Sequence, residues 1–155
     1  MTQVIHRMMA PIIFVFSALM FLAVIAQVIF RYVFVHPLPW SEELARYLMI
    51  WVACLAGSEA YRMKSHVGID FVAKLLPSTM RKGVTQIAHL SVFVLMTVII
   101  YQGLILSWML MDQESPALEI PMGWPYLAVP VGAVFIAIHA LIFLIEGFKK
   151  TAGTS

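Results

Sequence analysis

The stretch PLPWSEELARYLMIWVACLAGSEAYRMKSHVGID, residues 37–70, decides the fold. It reads as an apolar helix carrying Glu42, Glu43 and Arg46 in its first turns and Glu59 near its end. Charged groups in or beside hydrocarbon are costly, roughly 2.5–3.5 kcal/mol each at mid-helix on insertion scales. They therefore need partners within the chain or in another subunit.

Composition places the rest of the chain in the same solvent. Of 155 residues, 62% are hydrophobic and 12% are charged, against about 25% charged in a soluble domain. Too few polar atoms remain to cover a water-facing surface, so lipid is the expected surrounding. One cysteine, Cys54, excludes a disulfide framework and any CxxC redox or zinc motif.

Four spans follow. Residues 8–30 and 84–111 carry no formal charge, and neither do residues 122–145; in 41–61 the charges sit at the two ends. About 20 residues cross the hydrocarbon core at 1.5 Å per residue, so each stretch is long enough to span once. His6 and Arg7 before the first run resemble a signal-peptide start, but the run is too long and no A-x-A site follows. A retained anchor is expected. The expected fold is therefore an all-α integral membrane protein, a single membrane domain over residues 1–155.

Charge placement sets its direction. Arg7, Arg62, Lys64, Lys74, Arg81, Lys82, Lys149 and Lys150 would share one side, and only Arg31 and Arg46 the other. The positive-inside rule puts both termini and the second loop in the cytoplasm. In that second loop, residues 65–76 predict a short amphipathic interfacial helix. His66, Asp70 and Lys74 fall at i, i+4 and i+8 on one stripe, with Val67, Phe71, Val72, Leu75 and Leu76 towards the other. His66 and Asp70 alone make a poor metal site, and no metal is expected.

At the outer end, Ser41 reads as an N-cap for the second span, with the two acids at the positive end of its dipole. Glu42 and Glu43 are four and three residues from Arg46, which permits a local ion pair. Two readings stay open: the charges snorkel to the surface, or at least one acid faces a partner protein. Ala53 with Gly57, and Ala56 with Ala60, are small-xxx-small pairs that admit a close helix. In the third loop, Trp124 and Tyr126 would sit at headgroup depth, and Pro130 could kink the fourth span. Glu59, His89 and His139 lie at comparable inner depth. A hydrogen-bonded structural cluster is the first reading, with an ion relay or bis-histidine haem ligation as alternatives. No nucleophile constellation, phosphate loop or basic aromatic surface is present, so neither an enzyme nor a nucleic-acid binder is expected.

These features resemble the small membrane subunit of tripartite ATP-independent periplasmic (TRAP) transporters. The matching positions in residues 37–77 are Trp40, Glu42, Glu43, Tyr47, Leu48, Trp51, Gly57, His66, Asp70, Leu76 and Pro77. In SPALEIPMGWPYLAVPVG, residues 115–132, they are Pro116, Ala117, Leu118, Pro121, Tyr126, Pro130 and Gly132. The resemblance implies a non-catalytic scaffold in the bacterial or archaeal inner membrane, with no cofactor. Its partners would be a large multi-span subunit and a periplasmic substrate-binding protein. The cargo would be an organic acid anion of the C4-dicarboxylate or sialic acid type, moved by a sodium gradient. Trp40, Glu42, Glu43, Arg46, Tyr47, Trp51, Ala53 and Gly57 are the expected partner interface. The alternative is a membrane anchor for a haem-containing redox complex.

Overall fold

The computed structural model describes residues 2–63 and 78–152. The interfacial helix expected over 65–76, with His66, Asp70 and Lys74, lies outside the described residues.

Among the described residues the chain is all helix, apart from one isolated bridge between Glu114 and Pro121. The helices are α1 (Thr2–Tyr32), α2 (Pro39–Arg62), α3 (Ser78–Met109), the four-residue α4 (Gly123–Tyr126) and α5 (Ala128–Ala152). By length and composition, Arg7–Tyr32, Gly83–Asp112 and Gly123–Gly147 are long and apolar enough to cross a membrane. The 24-residue α2 is not in that class, because Glu42, Glu43, Arg46, Glu59 and Arg62 dilute it.

Local chemistry explains the boundaries. Pro39 sits in the first turn of α2, where its missing N–H costs nothing, so the helix starts two residues before Ser41. Ser41 is therefore not the N-cap. Its hydroxyl donates back to the Leu38 carbonyl at 2.7 Å. The fourth apolar run is split: α4 ends at Tyr126, and α5 opens at Ala128 with Pro130 in its first turn. There the ring removes no bond that the helix needs.

The helices stand in a row, α1 beside α2, α2 beside α5, and α5 beside α3. Contact positions give their directions. Met9 meets Ser58 and Phe16 meets Trp51, so α1 and α2 are antiparallel. Gly132 faces Cys54 and Phe143 faces Tyr61, so α2 and α5 are parallel. Gly103 faces Pro130 and His89 faces Phe143, so α3 and α5 are antiparallel. The start of α1, the end of α2, the start of α3 and the end of α5 thus share one end of the row.

Burial follows from this order. Of the α5 span 44% is buried, against 6% of the α1 and α3 spans. Alanines at 128, 133, 137 and 140 face inwards on α5 and let its neighbours approach. Between α2 and α5 the approach is close at Gly132, where an added Cβ would stand 2.8 Å from Cys54 Cβ and 2.9 Å from the Cys54 carbonyl oxygen.

Candidate functional site

The expected interface residues of α2 divide between two faces. Glu42, Arg46, Ala53 and Gly57 are exposed on one stripe with Met49 and Ala60, and Trp40 is exposed at the start of the helix on the other side. Among the described residues nothing stands within 4 Å of a Cβ built on Gly57. Glu42 and Arg46 pair at 3.0 Å with both side chains about 60% exposed, a geometry that adds little stability. This face offers small residues in the middle and an exposed charge pair at one end.

Glu43, Tyr47 and Trp51 turn the other way. Trp51 is half-buried and packs edge-on against Phe16 of α1, with ring centroids 6.1 Å apart. Glu43 is buried and organises the loop between α3 and α4. That loop folds back on itself, with Met122 N–H donating to the Gln113 carbonyl at 2.8 Å and Ser115 N–H to Ile120 at 2.9 Å. At its tip, the Ala117 and Leu118 N–H groups both donate to Glu43 Oε2, at 3.0 and 2.9 Å. The Tyr47 hydroxyl donates to Oε1 at 2.6 Å. A carboxylate holding three donors is a strong, charge-assisted tether. Glu43 thus clamps the loop onto the first turns of α2.

At the other end lie Glu59, His89 and His139. Glu59 Oε1 accepts from Arg62 at 2.6 Å. That hydrogen bond, just beyond the apolar stretch, raises the Arg62 guanidinium above its ordinary value despite partial desolvation. His89 Nδ1 shares a hydrogen bond with the Tyr61 hydroxyl at 2.8 Å, and both rings pack on Phe143. His139 stands apart. It is fully buried, its Nδ1 donates to the Phe135 carbonyl of its own helix at 2.7 Å, and among the described residues its Nε2 has no hydrogen-bond partner. Among the described residues no group of three or more His, Cys, Asp or Glu side chains is placed to hold a metal.

Sequence reasoning did not find Ala117 and Leu118 as the counterpart of Glu43, because a backbone donor leaves no residue-type signature. Met49 and Ala60 were legible, being spaced four and seven residues from Ala53 on one helical face.

An all-helical chain of this kind, with long apolar helices and few charges, is a multi-pass membrane protein. Residues 20–150 match the family described as tripartite ATP-independent periplasmic transporters, DctQ component. The chain belongs to that family, which comprises transport permease subunits and not enzymes. It is 42% identical over 129 residues to the sialic acid TRAP transporter permease protein SiaT of Haemophilus influenzae, covering 81% of this chain and 20% of the relative. To the isethionate TRAP transporter permease protein DctMQ of Oleidesulfovibrio alaskensis it is 30% identical over 123 residues, covering 74% and 19%. It is also 30% identical over 125 residues to the sialic acid TRAP transporter small permease protein SiaQ of Vibrio cholerae, covering 81% and 72%. The chain spans about a fifth of the length of the first two relatives.

Proposed function

We propose that this chain is a small permease subunit that braces a larger transport subunit through the exposed face of α2. The observation that carries the reading is the open space at Gly57. Ala53, Gly57 and Ala60 form a close-approach surface that neither α1 nor α5 covers. Relatives that carry this region as about a fifth of a longer permease polypeptide support a large membrane partner.

In this reading α2 is a fourth span, with the outer charges at one water interface and Glu59 with Arg62 at the other. Both termini and the second loop face the cytoplasm of a bacterial or archaeal cell. The large subunit moves an organic acid anion, of the sialic acid or dicarboxylate type, with sodium as the driving ion. A periplasmic binding protein delivers the anion. Secondary transporters hold substrate at broken helices near mid-membrane. Here α1, α2 and α3 run without interruption and carry no formal charge at mid-span, which supports a bracing role over a carrying one.

The test is co-production with a large TRAP permease subunit and a periplasmic binding protein from the same organism, followed by reconstitution in liposomes. Sodium-driven uptake should need both membrane chains, and Ala53→Leu with Gly57→Leu should abolish co-purification and uptake together. Uptake by this chain alone, or normal assembly of the double variant, overturns the proposal.

A further inference from the structure

The turn between α1 and α2 presents apolar side chains where an aqueous loop would present polar ones. Tyr32, Val33, Phe34 and Val35 are 75%, 70%, 58% and 77% exposed. They are held there by defined backbone structure. Val33 N–H donates to the Ile29 carbonyl at 2.8 Å and His36 N–H to Phe30 at 3.0 Å, and the Phe34 ring lies 5.1 Å from that of Phe30. Val35 has φ 54°, the left-handed region where a β-branched residue is strained. The chain thus accepts strain to reverse direction while keeping these side chains outward.

We propose that this turn is a lipid-contacting element: Val33, Phe34 and Val35 lie in the bilayer interface, and Arg31 binds the phosphate of a phospholipid headgroup. Two observations commit the surface to lipid. The exposed apolar face is continuous with that of α1, where Phe21, Val24, Val28 and Ile29 are exposed along the span. The turn therefore shares the solvent of the helix. Charge is complementary as well. Arg31 is exposed at the end of α1 and makes no ion pair among the described residues, and exposed His36 across the turn adds a second nitrogen-bearing side chain. An aromatic and basic rim on an apolar span is the composition of a headgroup anchor.

This inference rests on the multi-span reading of the proposed function, and the experiment separates the two. In a Cys54→Ala background, bimane is attached to the full chain at Val33→Cys, Val24→Cys or Glu114→Cys, in phosphatidylcholine nanodiscs containing lipids brominated at shallow or deep positions. The expected result is quenching at position 24 by deep bromines. Quenching at position 33 by shallow bromines should be about twofold or more above that at position 114, as for side chains at headgroup depth. Brominated phosphatidylglycerol should quench position 33 with about fivefold higher apparent affinity than brominated phosphatidylcholine, the effect of one basic residue at an anionic surface. Arg31→Gln should erase that ratio.

If position 24 escapes deep bromines, the spanning reading fails and this inference with it. If position 24 is quenched but position 33 answers only to aqueous iodide, the turn lies in water and this inference alone falls. Shielding of position 33 from lipid and iodide alike means a protein covers it, which also overturns the inference. A lipid ratio near one in the unmodified turn, or one that Arg31→Gln leaves unchanged, removes the phosphate site.

Discussion

Glu43 Oε2 accepts the backbone N–H of Leu118 at 2.9 Å, across 75 residues of sequence. Among the described residues the adjacent acid, Glu42, pairs with Arg46 on its own helix. Two neighbouring carboxylates of the same type therefore serve different levels of structure. Glu43→Ala should lower the thermal midpoint in detergent by about 2–6 °C and speed hydrogen exchange at the Ala117 and Leu118 amides. Glu42→Ala should change neither measurably, because an exposed i,i+4 pair adds only a few tenths of a kcal/mol.

Two helical glycines should respond oppositely to the same substitution. Gly132→Ala drives a methyl group into Cys54 backbone and side chain, so about 1–3 kcal/mol of stability should be lost. Gly57→Ala meets nothing within 4 Å, and the better helix former should leave stability equal or raise it by up to about 1 kcal/mol. Unfolding of both variants in one detergent reads the contrast directly.

At Val35, backbone conformation outranks side-chain identity for folding. Val35→Gly relieves left-handed strain of roughly 1–2 kcal/mol, offset by about 0.5–1 kcal/mol of extra chain entropy. Its thermal midpoint should match or slightly exceed that of the parent. Val35→Pro cannot reach φ 54° and should destabilise the chain clearly. Circular dichroism melts distinguish the pair.

His139 offers a test of the relay alternative. Its buried Nε2 has no partner among the described residues, so replacing the imidazole with an apolar group of similar size removes an unsatisfied polar atom. His139→Leu should stay within about 1 kcal/mol of the parent in stability, and the assembled transporter should retain uptake. Loss of uptake in a folded, assembled His139→Leu complex would assign the ring to ion movement.

The spans in α1 and α3 were legible because charge-free runs of that length have few other uses. The start of α2 was readable but misread. Ser41 looked like a cap, yet Pro39, a first-turn proline, carried the better signal. The i,i+4 pair of Glu42 with Arg46 was readable from spacing, but the role of Glu43 was not. Adjacent helical residues point about 100° apart, and which of them faces inwards depends on a loop 74–75 residues away. The order of helices was equally hidden, since small residues at Ala133, Ala137 and Ala140 mark a close contact without naming its partner. For the inner polar residues, depth was inferable from the span frame. Partners were not: His89 found Tyr61, whereas His139 turned back to its own helix.

The packing order of α1, α2, α5 and α3 has a mechanical consequence. Here α2 and α5 are each gripped by two long neighbours, whereas α1 and α3 are each gripped by one. A companion fastened along α2 would hold one of the two doubly gripped members, and its pull would pass into α5 through the Gly132–Cys54 contact before reaching α3.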